Sequence, residues 1–133
     1  MKQTQKQYAG VWLDNQNAMI ITRIPGDQNG DYAIQTKVKA TENRGGGSEH
    51  SMNNAKQSHN LKYFKSLSGM LLNYDEILVF GPGKSQEQFQ NHLQEDPQFK
   101  SKKIIIDSAE QLTDPQMIAK VRDFFKSRQS LVL

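Results

Sequence analysis

A polar stretch at residues 41–58, TENRGGGSEHSMNNAKQS, divides the chain into two parts whose hydrophobic patterns have different periods. Before it, apolar residues recur every second position. After it, segments of helical period alternate with short continuous apolar runs. The stretch itself offers only Met52 and Ala55 as apolar area and carries three consecutive glycines, Gly45, Gly46 and Gly47. Such a segment cannot offset the entropy of its own ordering and reads as a flexible loop. Loops of this length within a compact domain are usually functional or disordered.

Ahead of the loop, Tyr8 to Asp14 and Ala18 to Ile24 are rich in aromatic and β-branched residues and are separated by Asn15-Gln16-Asn17, a hairpin signal. A second turn, Pro25 to Gly30, leads to Asp31 to Ala40. There Tyr32, Ile34, Thr36 and Val38 alternate with polar or small residues, as in a half-buried strand at or near a sheet edge. Behind the loop, Leu61, Phe64, Leu67 or Ser68, and Leu71 follow helical spacing, with Asn60 or Ser58 as the cap. Asp75 to Phe80 reads as a strand buried on both faces, ended by Gly81-Pro82-Gly83. Ser85 is placed to cap a helix through Phe89, His92 and Leu93, and Lys103 to Asp107 reads as another buried strand. Thr113 or Asp114 starts the last helix, with Pro115 in its first turn and Ile118, Val121 and Phe125 on one face. The expected fold class is α/β: a single mixed sheet, an antiparallel three-stranded meander followed by parallel βα units, with helices on its faces. All 133 residues are assigned to one domain.

Composition narrows the function classes. The chain has no cysteine, which excludes disulfides, thiolate nucleophiles and cysteine-based zinc sites. No apolar run approaches the roughly 20 residues a membrane span needs, and MKQTQKQ lacks the apolar core of a secretory signal, so a cytoplasmic protein without membrane association is expected. A net charge of +3 permits a polyanionic partner without demanding one.

Three motifs invite sharper chemistry. Phe80 to Ser85 places a glycine turn between a strand and a helix, but the Walker pattern needs glycine where Leu78 stands, and Pro82 removes a backbone donor. A structural turn is the better reading. Asp14 and Asp107, near strand ends, could serve a metal-dependent nuclease, or could simply begin the Asn15-Gln16-Asn17 turn and close a strand. His50, His59 and His92 show no ligand spacing, Ser48 has no rigid platform for a catalytic pair, and no cofactor or metal is expected. Trp12 reads as core.

The order of elements, the GVWLDNQNAMII hairpin at Gly10 to Ile21 and the FGPGKSQEQF run at Phe80 to Phe89 resemble the middle domain of the archaeal and eukaryotic peptide-chain release factors and of Pelota. The resemblance covers Tyr8 to about Arg128. It implies a ribonuclease H-like fold and sets the glycine loop where release factors carry the Gly-Gly-Gln loop that enters the peptidyl-transferase centre. In that family the glutamine helps place the water that cleaves peptidyl-tRNA. Gly47 or Ser48 occupies the corresponding position here, and neither has an amide side chain. The codon-reading and partner-binding flanking domains are also expected to be absent.

The resemblance therefore implies a ribosome or tRNA partner and no catalysis. Arg44, Gly45, Gly46 and Gly47 would form the contact, with charge from Arg44 and close backbone approach at the glycines. Lys62 and Lys65 would extend it, and with Lys100, Lys102 and Lys103 could form a basic face, unless these are simply solvated flanks. The loop is equally readable as a connector. Two other functions stay open. One is a hydrolase of peptidyl-tRNA or another RNA-linked ester. The other is a protein-interaction module whose third-strand edge pairs with a partner or with its own copy, making a homo-oligomer.

Overall fold

The computed structural model describes residues 6–27, 30–40 and 61–131. The glycine loop at 41–58 and its neighbouring caps, Ser58 and Asn60, lie outside the described residues. Five strands and three helices follow in the expected order: β1 (Tyr8–Leu13), β2 (Asn17–Arg23), β3 (Tyr32–Lys39), α1 (61–71), β4 (Glu76–Gly81), α2 (Ser85–Glu95), β5 (Lys103–Ser108) and α3 (Asp114–Leu131). A short 3-10 turn, Pro97–Phe99, lies between α2 and β5.

The strands form one mixed sheet in the order β3-β2-β1-β4-β5. β1 is antiparallel to β2 and parallel to β4, β2 is antiparallel to β3, and β4 is parallel to β5. β3 takes an edge, as its alternation predicts. β4 is buried along its whole length, as its unbroken apolar run predicts. β5 departs from expectation. It forms the opposite edge, and Ile104, Ile105 and Ile106 are only half-buried because no described residue pairs with its outer side.

Alternation along β1 builds two cores. Ala9, Val11 and Leu13 face the layer holding Tyr63, Leu67 and Leu71 of α1, Phe89 and Leu93 of α2, and Phe99. Trp12 faces Met117, Val121 and Phe125 of α3, together with Ile21, Leu78 and Phe80. Gly10 lets α3 approach: a Cβ there would lie 2.3 Å from Val121 Cγ2. Gly81, at φ +154°, would place a Cβ 2.1 Å from the Leu13 carbonyl oxygen.

The expected helical stripes shift in detail. In α1, Tyr63 replaces Leu61 as the first core residue, and Leu61 is 48% exposed. Tyr63 aligns with Leu67 and Leu71 at i, i+4, i+8, while its hydroxyl donates to the Asp14 carbonyl (3.2 Å), so a polar tip becomes compatible with burial. In α2 the cap position belongs to Lys84, which makes no side-chain cap bond, and Ser85 is the first helical residue. α3 begins with a reciprocal capping box: Gln116 N–H donates to Thr113 Oγ1 (3.3 Å), and Thr113 N–H to Gln116 Oε1 (2.9 Å).

Candidate functional site

The parallel strands send the carboxyl ends of β1, β3, β4 and β5 to one rim of the sheet, together with the β1–β2 turn. In sheets with parallel strands, sites tend to form at that rim. The N-terminal ends of α2 and α3 also lie there, presenting the positive ends of their dipoles, although Glu87 and Asp114 in their first turns offset part of that charge.

The β1–β2 turn is built around Asp14. Its Oδ1 accepts from Gln16 N–H (2.8 Å) and Asn17 N–H (2.6 Å), while Asp14 N–H donates to Asn17 O (2.9 Å). The sequence reading of Asp14 as a turn initiator is what the geometry shows. The same turn holds both described ends of the chain that flank residues 41–60. On one side Ala40 N–H donates to Gln16 O (2.8 Å); on the other, the buried Tyr63 hydroxyl reaches Asp14 O. Burial, with Asp14 nearby, pushes the Tyr63 phenol well above its ordinary range, so it stays a donor at every physiological pH. Both described flanks of residues 41–60 are thus tied to one turn on the rim. Sequence reasoning misses this clamp, since neither carbonyl acceptor has a side-chain signature.

Arg44, Gly45, Gly46 and Gly47 lie outside the described residues. Lys62 and Lys65 are exposed on α1, directly after that stretch. Neither makes an ion pair among the described residues, and the same holds for exposed Lys39, just before the stretch, and exposed Lys84, at the start of α2. Lys39 and Lys84 belong to no motif in the sequence, though the alternation of β3 already turns residue 39 outward. Other cations near the rim are committed: Lys37 to Asp114 (3.1 Å) and Lys120 to Asp107 (2.9 Å).

The wider basic face is not assembled. Lys102 Nζ donates to the Leu72 and Tyr74 carbonyls, both at 2.6 Å, and lies 5.8 Å from the Phe99 ring centroid. It satisfies the backbone just beyond the end of α1, where helix carbonyls lack partners. That places it about 15 Å along the helix axis from Lys62. Lys103 opens β5 at the rim opposite the β1–β2 turn.

The other motifs resolve into structure. Asp14 follows β1 and Asp107 lies on β5, with β4 between those strands, roughly 10 Å apart across the sheet, and each carboxylate already has its partner. Among the described residues no cluster of histidine or acidic side chains could hold a metal. A cleft of about 350 Å³ is lined by Gly81, Pro82, Gly83, Ser108, Ala109 and Glu110. Its lining carries no cation, consistent with a structural turn. His92 packs against Phe64 and Phe89, with ring centroids 5.6 and 6.3 Å away. Burial lowers its pKa, and Lys65 pushes the same way against Asp96 and Glu95. No described helix is long and apolar enough to cross a membrane.

No family model matches the sequence, and no curated protein matches it. Solved structures do share its fold. The Pelota protein of Thermoplasma acidophilum is 19% identical with a TM-score of 0.57, over 86% of this chain and 31% of that one. The archaeal translation termination factor aRF1 is 11% identical with a TM-score of 0.50, over 93% of this chain and 39% of its own. A ribosome-bound archaeal Pelota, in a complex with ABCE1, is 17% identical with a TM-score of 0.56, over 91% of this chain and 34% of its own. This chain therefore spans about a third of each. The fold is that of a Pelota and release-factor domain.

Proposed function

We propose that this protein is a translation-related factor that binds the ribosome or tRNA through the rim around the β1–β2 turn, and that its role is contact rather than catalysis. The observation that carries this reading is the clamp: one turn anchors both flanks of the glycine-bearing stretch, through Ala40–Gln16 and Tyr63–Asp14. Lysines without an ion pair among the described residues stand on both sides of it, at Lys39, Lys62 and Lys65. The fold shared with a ribosome-bound Pelota supports the assignment.

In this reading the lysines meet phosphate oxygens, while Arg44 and Gly45 to Gly47 approach the RNA backbone closely, since glycine has no Cβ to obstruct it. Gly47 or Ser48 at the position of the family's glutamine gives no amide to orient water, so peptidyl-tRNA hydrolysis is not assigned. The protein would act in the cytoplasm, where ribosomes are.

The test is binding of purified protein to ribosomes and to tRNA at moderate salt, alongside a variant lacking residues 41–58. The wild type should co-sediment with ribosomes or bind tRNA, and the deletion should lose most of that binding. Absence from ribosomal fractions together with no tRNA binding would sink the proposal. Equal binding by the deletion variant would remove the stretch from the mechanism.

A further inference from the structure

Among the described residues β5 is a sheet edge, and its sequence, Lys103-Ile104-Ile105-Ile106-Asp107, is its own antiparallel complement. We propose that a second copy of this chain docks there, joining two five-stranded sheets edge to edge around a two-fold axis at Ile105. This goes beyond the RNA-binding reading and does not depend on it.

Backbone orientation supplies the first constraint. Lys103 N–H donates to Asp75 O (2.9 Å) and Ala109 N–H to Gly81 O (3.0 Å), so odd-numbered residues of β5 turn their backbone groups toward β4. The groups of Ile104 and Ile106 consequently face the open edge. An antiparallel pair centred on Ile105 sets Ile104 of each copy opposite Ile106 of the other, and both pairs exchange full sets of backbone bonds. The Ile105–Ile105 and Lys103–Asp107 pairs are then of the non-hydrogen-bonded kind, in which side chains come closest.

Charge selects this register. Centred on Ile105, each copy's Lys103 faces the other's Asp107, forming two cross-strand ion pairs. Sliding by the next permitted step, which moves the centre to Ile104 or Ile106, sets each Asp107 against Ser101 or Ile105 instead. Lys103 makes no ion pair among the described residues. Asp107 pairs with Lys120 through one oxygen and accepts from Ser108 N–H through the other, but its side chain is about half exposed, so it can share its charge with a second cation. Apolar area is available too, since all three isoleucines are half-buried. α2 lies over both β4 and β5. Two copies of α2 would therefore run about two strand spacings apart, or roughly 10 Å, a normal helix-packing distance.

The opposite edge differs. β3 contains Lys37 and Lys39, both exposed, and no acidic residue, so it lacks the self-complementary charge pattern of β5. Self-association through the third strand, one of the options open in the sequence, is thereby disfavoured relative to β5.

The experiment is sedimentation equilibrium of the full chain across a concentration series. The wild type should show a monomer–dimer equilibrium. Lys103→Asp makes the edge wholly acidic and Asp107→Lys makes it wholly basic, and each alone should weaken self-association by about tenfold or more. An equimolar mixture of the two should regain dimers, because each Asp then meets a Lys. A wild type that stays monomeric at all concentrations, single variants that dimerise like the wild type, or a mixture that fails to recover would each overturn the proposal. Hydrogen exchange on the wild type gives a readout needing no variant. The Ile104 and Ile106 amides should exchange more slowly as concentration rises, and concentration-independent exchange would contradict the pairing.

Discussion

Two glycines that look alike in the sequence impose different constraints. At Gly10 the obstruction is a side chain, Val121, which can be trimmed. Gly10→Ala should cost about 1–3 kcal/mol by overpacking, and adding Val121→Ala should return part of it, giving a favourable coupling in a double-mutant cycle by urea unfolding. At Gly81 the obstruction is the Leu13 carbonyl and φ is +154°, so Gly81→Ala should cost about 3 kcal/mol or more, with no side chain to remove for rescue. His92 supplies a pH prediction. Its pKa is lowered in the fold, so the unfolded chain binds the proton more readily near pH 6.5. Its contribution to stability is complete above that value and is lost as pH falls through it toward the depressed native pKa. Denaturant unfolding should therefore show a smaller loss of stability between pH 7.5 and 5.5 in His92→Asn than in the wild type. An identical loss would contradict the assignment.

Elements carry their stability at their ends. Tyr63→Phe removes the tie between α1 and the β1–β2 turn and should cost about 1 kcal/mol, measured as a lower urea midpoint at unchanged slope. Lys102→Met keeps the packing on Phe99 but leaves the Leu72 and Tyr74 carbonyls without their charged donor, which should destabilise the fold by about 2 kcal/mol in the same measurement. Neither role is legible in the sequence, because the acceptors are backbone carbonyls brought near by long-range folding. What is legible has a local period or local turn chemistry: the meander through β3, the doubly buried β4, the Asp14 turn and the start of α3. Helical spacing misplaces the α1 stripe at its first residue because Tyr63, a residue with a polar tip, joins the core with its hydroxyl satisfied by a partner 49 residues away. β5 differs from its sequence reading for a related reason. A run of isoleucines shows that a strand is apolar, but whether it lies at the centre or edge depends on what pairs with it.

At the scale of the whole molecule, one rim gathers the β1–β2 turn, both flanks of the glycine-bearing stretch and exposed lysines without ion pairs among the described residues. The sequence singles out Arg44, Gly45, Gly46, Gly47, Lys62 and Lys65, while the place of Lys39 and the anchoring of both flanks by the Asp14 turn emerge only once the strands are ordered. A rim that meets RNA through its cations must show a salt dependence set by those cations. Ribosome pelleting across a salt series, comparing the wild type with Lys62→Gln/Lys65→Gln, reads that dependence. Removing one phosphate contact should lower the magnitude of the log–log salt slope by about 0.7–0.9. The double variant should bind more weakly at every salt concentration, with a slope shallower by about 1.5. Its folding should be unchanged, because both lysines are exposed and unpaired among the described residues. Binding of equal strength and equal slope in the two proteins would contradict RNA contact through this rim.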